Sequence, residues 1–175
     1  QVGIEYMKRG MPKDAFDYFG TEGANFMREP ERQPDWLSLL AILHSWKRAR
    51  EHYGYLDKPV WTTEALYHGT NPDNLSLHAQ AVIQVREAML ALANGVGRMC
   101  AAGLLRDSTD DYRWSNWGSA GLCFREPEMN PKPSYAMHAW LTQILDQRAY
   151  AGRVSHDSTS LHILDFAGAD GAHVY

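Results

Sequence analysis

Three apolar runs, AFDYFGTEG (15–23), KPVWTT (58–63) and VGRMCAAGLL (96–105), are separated by segments of helical period. They recur every roughly 40 residues, the length of a strand–helix–strand unit. Such units join parallel strands and lay their helices on the faces of the sheet. This alternation constrains the fold more than any other feature of the chain.

The helical segments carry their own punctuation. Residues 1–13 read as the tail of a helix closed by Gly10 and Pro12. After the polar loop MREPERQP, Asp35 stands as an N-cap. Trp36, Leu39, Leu40, Leu43 and Trp46 then follow at helical spacing, opposite Lys47, Arg48, Arg50 and Glu51, and the helix ends between His52 and Gly54. A second helix is expected over about 78–94 with an apolar set of Val82, Val85, Met89, Leu92 and Ala93, stopped by Gly95. The run 96–105 reads as a strand covered on both faces. A long loop, 106–130, precedes Pro131 and Pro133, which open a helix with the stripe Met137, Trp140, Leu141, Ile144 and Leu145. LHILDF, then Gly168 to Gly171, then AHVY form a hairpin that begins a β-rich segment.

The order β-α-β-α-β-α followed by strands defines an α/β fold. Three units do not close a barrel of eight, which takes on the order of 250 residues. Two readings stay open: a piece of a larger parallel barrel, or a small open three-stranded domain. The 175 residues suffice for one domain with a core, and 45% hydrophobic and 22% charged residues are ordinary for a globular chain. A net charge of −4 without acidic or basic blocks points away from nucleic acid and from an anionic membrane surface. No apolar run approaches the roughly 18 residues of a membrane span. Cys100 and Cys123 make no disulfide framework and no metal-ligand spacing, so two free thiols and no metal are expected. The chain opens on Gln1, so the lack of a signal segment says nothing about compartment. Six Trp and nine Tyr stand out, and flat rings suit the C–H faces of sugars as well as cores.

DKPVWTTEA (57–65), REAMLALANGVGRM (86–99), GLLRD (103–107), WGSAGL (117–122) and NPKPSYAMHAWLTQIL (130–145) together resemble the C-terminal half of a clan A glycoside hydrolase. These are retaining glycosidases of the xylosidase- and iduronidase-like kind. The resemblance covers most of residues 14–175 and implies the last three or so βα units of a (β/α)8 TIM barrel over 1–150. Residues 151–175 would then start a β-sandwich-like segment. In that family a KP-apolar-W-x-T-E strand is the seventh and its glutamate is the nucleophile, which here is Glu64. The family's preceding strand normally bears a His or a Tyr; this chain has FDYFGTEGANF there, with Glu22 and no His.

A retaining glycosidase uses two carboxyl groups about 5–5.5 Å apart, one as nucleophile and one as acid and then base. Hydrogen-bond donors keep the first ionised, while a less polar setting keeps the proton on the second. Val60 and Trp61 read as strand core, and Thr62 or Thr63 would orient Glu64 through a hydroxyl. In the family the acid follows an asparagine at the end of the fourth strand, and no Asn-Glu dipeptide occurs here. The acid is therefore expected upstream of Gln1, and the chain alone is expected to turn over little or no substrate. Glu22 is the internal alternative: an acid, another pocket residue, or a structural one.

Trp117 and Trp114 fall in the loop after the eighth strand, where the family often places a ring under the sugar, though a loop tryptophan equally serves as a plug. Tyr67 and His68 follow the nucleophile strand and would donate to sugar hydroxyls. Asp107 either binds a hydroxyl or pairs with a neighbouring Arg. Asn74–Ser76 matches a glycosylation sequon that is common by chance, and neither GVG nor GSAG opens a helix as a phosphate loop does. His44, His78 and His138 read as surface or core-edge residues. No cofactor is implied, and the partner is a carbohydrate. An open barrel edge would also allow self-association. Export to the periplasm or outside the cell would suit a polysaccharide-degrading enzyme. The competing class is a non-catalytic carbohydrate-binding or structural remnant of the same barrel.

Overall fold

The computed structural model describes residues 2–22, 39–65, 76–101, 105–107, 119–125, 128–158 and 161–175, and only the backbone of residues 22, 64, 65 and 101. The described elements run α1 (Val2–Lys8), β1 (Phe19–Glu22), α2 (Leu39–Tyr53), β2 (Val60–Ala65), α3 (Leu77–Ala93) and β3 (Val96–Ala101), then α4 (Pro133–Leu145), β4 (Arg148–Arg153), β5 (Leu164–Gly168) and β6 (His173–Val174). The molecule is a mixed α/β structure. β1, β2 and β3 lie side by side in that order, all parallel, and β4, β5 and β6 form a separate antiparallel sheet.

α2 and α3 end on glycines in left-handed backbone. Gly54 after α2 and Gly95 after α3 have φ of +78° and +82°. A side chain there would strain the turn that closes each helix. At its start, α3 is capped by Ser76, whose hydroxyl accepts from the Ala79 amide at 3.1 Å. Asp35 and Trp36, expected to begin α2, lie outside the described residues.

Strand alternation sorts β1–β3 into two faces. Phe19, Val60 and Val96 stand in one cross-strand row, and Thr21, Thr62 and Met99 in the next. These rows meet the helices. Phe19 and Val60 pack with Met7, Trp46 and Tyr55, while Val96 joins Leu39, Leu43 and Ala91. The Trp46 indole N–H donates to Thr21 Oγ1 at 3.1 Å, which ties α2 to β1. β5 adds Leu164 and Phe166 to a third cluster with Leu40 and Leu90, so the antiparallel sheet is seated on α2 and α3.

Four details differ from the expectations. β3 is not covered on both faces, since Gly97, Arg98 and Cys100 are exposed on the side away from the helices. In α3 the buried residues are Gln80, Ala81, Ile83, Glu87, Leu90 and Ala91, while the expected set is only partly buried. That helix meets β3, α2 and α4 at once, so one stripe does not describe it. Trp140 of α4 is 52% exposed, because α4 buries Ser134 and Leu141 against α3 and turns its outer face to solvent. β4, RAYAGR, carries no strand signal of its own: it is mostly exposed and shows no apolar alternation, and its partner β5 defines it.

Candidate active site

At the C-terminal end of β2 the parallel sheet departs from regular pairing, as it also does between Val60 and Trp61 against β3. Thr21 pairs with Thr62, but the next pair is Glu22 with Glu64, so Thr63 is an extra residue in β2. A bulge of this kind bends a strand and re-aims the residues beyond it. The two glutamates thus occupy facing positions on adjacent parallel strands, which lie about 4.8 Å apart. Thr62 is fully buried on the helix side and its hydroxyl has no partner among the described residues. Thr63 is exposed and its hydroxyl donates to the Thr21 carbonyl at 3.3 Å. Gly20 leaves room for this residue, since a Cβ there would approach the Thr63 methyl to 3.1 Å.

On the same face, nearer the N-terminal ends of the strands, the Trp61 ring is stacked on Tyr18 with centroids 3.7 Å apart, and the Arg98 guanidinium lies over it at 4.6 Å. Tyr18 is 41% exposed, so this stack is a surface feature in the chain as it stands. Trp61 is thus not strand core, as its apolar run suggests; it is half-buried on the face that the helices do not cover.

Beyond β3 the chain folds around a buried ion pair. Lys132, in the PKP entry to α4, donates from Nζ to Asp107 Oδ1 at 2.6 Å and to the Ser119 carbonyl at 2.8 Å. Both side chains have no exposed surface. The Gly121 amide donates to the same carboxylate oxygen at 3.1 Å. A Cβ on Gly121 would run into the backbone of Arg106 and Asp107, so only glycine permits this approach. Burial pushes the Asp107 carboxyl above the usual carboxylate range, against the pull of Lys132 and the Gly121 amide. Burial likewise pulls the Lys132 ammonium below the usual lysine value, against the opposing effect of Asp107. Asp107 is therefore paired, with a lysine rather than an arginine. The signal available in sequence was an acid closing an apolar strand and a base held between two prolines at a helix entry.

Tyr67, His68, Trp114, Trp117 and the sequon residues Asn74 and Leu75 lie outside the described residues, as do the side chains of Glu22 and Glu64. A cavity of about 150 Å³ lined by Gln84, Glu87, Met99, His138 and Leu141 sits between α3 and α4, on the helix side of β3. Among the described residues, no group of three or more His, Cys, Asp and Glu side chains is placed to hold a metal ion, and no helix is long and apolar enough to cross a membrane. Cys100 and Cys123 are free thiols.

No protein-family model and no curated protein sequence matches the chain. Solved structures do. Over 97% of its length the chain is similar to a family 39 glycoside hydrolase from the gut symbiont Bacteroides cellulosilyticus WH2, with a TM-score of 0.69 and 19% identity. Looser likenesses are to xylanase 10B from Thermotoga maritima (TM-score 0.49, 17% identity, 82% of this chain and 40% of that one) and to a Lactobacillus rhamnosus β-glucuronidase (TM-score 0.45, 11% identity, 73% and 22%). The chain spans 35% of the length of the family 39 enzyme. Its fold is thus that of a stretch of a glycoside hydrolase, the class to which the sequence resemblance points.

Proposed function

We propose that the chain is the C-terminal part of a retaining glycoside hydrolase acting on poly- or oligosaccharides, with Glu64 as its nucleophile. Residues 1–150 supply the last three βα units of a (β/α)8 barrel and 151–175 the start of a β-sandwich-like segment. The observation that carries this reading is the backbone position of Glu64. It lies at the end of the middle strand of a parallel sheet, after a bulge and opposite Glu22. Strand C-termini are where barrel enzymes display their reacting groups. The fold likeness to a family 39 glycoside hydrolase supports the class.

In this mechanism the Glu64 carboxylate attacks the anomeric carbon as the glycosidic C–O bond breaks, and the leaving oxygen takes a proton from a second carboxylic acid. That second group then removes a proton from water as the water displaces Glu64 from the sugar, regenerating both groups. The acid/base belongs to a part of the protein outside these 175 residues. Glu22, Tyr67 and His68 supply hydrogen bonds to sugar hydroxyls, and Trp114 and Trp117 supply stacking faces. β1 and β3, each paired on one side among the described residues, are the edges through which the isolated chain would self-associate.

The test is a mechanism-based fluoro-sugar applied to the polypeptide with its upstream region. A mass adduct on the peptide carrying Glu64 is expected. Replacing Glu64 with Ala should lower kcat by about 10⁴-fold or more. An adduct on the Glu22 peptide, or hydrolysis with inverted anomeric configuration, overturns the assignment.

A further inference from the structure

We propose that the cavity between α3 and α4 is a binding site for one small neutral molecule of the phenol class, with an apolar body and a single hydrogen-bond donor. Met99, which lines it, is on the helix side of β3, whereas Thr63 and Cys100 stand on the other face of the sheet. The cavity is therefore separate from the candidate active site. The inference goes beyond the glycosidase reading and does not rest on it.

The walls follow from the two helices. Gln84 and Ala88 stand one turn apart on α3, and Leu141 and Leu145 one turn apart on α4, so each pair shares a face and the two faces line one seam. Met99 adds a wall from β3. Ala88 stops at its Cβ within this seam, and about 150 Å³ stays open beside it. Packed interiors leave few voids larger than a water molecule, and this one is well above that size. Its rim includes His138, which is exposed, so a guest has a way in.

Room, walls and polar groups together choose the guest. A cavity of this volume holds one benzene-sized ring. Ala88, Leu141 and Leu145 offer that ring carbon contacts, and Met99 adds a thioether. Gln84 Oε1 is buried without a hydrogen-bond partner among the described residues. A buried acceptor with no donor is unfavourable, and turning the Gln84 amide onto a guest hydroxyl relieves it. A plain hydrocarbon would fill the space but leave that acceptor unmet. Glu87, fully buried, lines the same wall. A carboxylate guest would set a second acid beside it and bring no donor.

Methyl NMR of the 175-residue chain tests this, with Met99 as reporter and Met7, in the cluster with Phe19 and Trp46, as control. Phenol should shift the Met99 methyl saturably, with a Kd on the order of 1 mM for so small a ligand, and leave Met7 in place. Toluene should bind at least about fivefold more weakly, and benzoate should give no shift. Ala88→Leu, which fills the seam, should abolish the phenol shift. Gln84→Leu should bring phenol and toluene within about twofold of each other, and it keeps the test open should Ala88→Leu fail to fold. The proposal is overturned by the lack of a saturable Met99 shift at about tenfold above that Kd, or by an equal shift at Met7. Toluene binding as tightly as phenol, or a preference for phenol that survives Gln84→Leu, overturns it too.

Discussion

On its helix side the parallel sheet presents Phe19, Val60, Val96 and Met99 beneath α1, α2 and α3; on the other it presents Gly20, Trp61, Thr63, Arg98 and Cys100. The first three of the helix-side residues are at most 5% exposed. Of the second set, Trp61 is half-buried and the rest are exposed. Parallel sheets are ordinarily covered on both faces. The helix side thus supplies the burial that holds these residues folded, while the other side is left uncovered among the described residues. In the proposed barrel that surface is the interior, and the strands that complete it would provide the cover.

Mutations on the two faces separate these roles. Phe19→Ala removes a ring that touches Trp46, Phe16 and Tyr55 and should cost about 3–5 kcal/mol, read as a lower denaturation midpoint. A loss below about 1 kcal/mol would mean the helix side is not the core of this chain. Trp61→Ala on the opposite face loses a stack with Tyr18 and a contact with Arg98, for about 1 kcal/mol in the 175-residue chain. In the longer polypeptide the same change should cost about 3 kcal/mol or more, as a buried Trp→Ala does. Equal costs in the two contexts would break the comparison, since that face would then gain no cover from the rest of the protein.

Much of this was legible in advance where one physical pattern acts alone. The three strands and the helices after them follow from period and punctuation, and Gly54 and Gly95 mark helix ends by conformational need. Facing positions for Glu22 and Glu64 follow from one βα unit of spacing, although the bulge at Thr63 that brings them level is a pairing property with no local signal. Where several surfaces compete for one element, the sequence is a poorer guide. α3 is apolar over more than one stripe and buries Gln80 and Glu87, which no amphipathic reading would place inside. β4 is a strand because β5 pairs with it, not because its residues alternate. The Asp107–Lys132 pair joins residues at opposite ends of a loop, and only the fold shows that they meet.

The smallest effect concerns that pair, and its sign is fixed by burial. In the folded chain Asp107 holds its proton to a higher pH than in the unfolded chain. Within that window the unfolded chain has fewer protons bound, so stability falls as pH rises from the usual carboxylate value to the raised one. Lys132 releases its proton at a lower pH in the folded chain than in the unfolded one. Between the lowered value and the usual lysine value the unfolded chain holds more protons, so stability rises with pH there. Relative to Asp107→Asn/Lys132→Met, the parent should therefore lose melting temperature on leaving the acid end and regain it at the alkaline end, with a trough between. The opposite curve, a parent most stable relative to the variant at intermediate pH, would show that the attraction between carboxylate and ammonium outweighs their removal from water. The pair would then stabilise the fold in its own right.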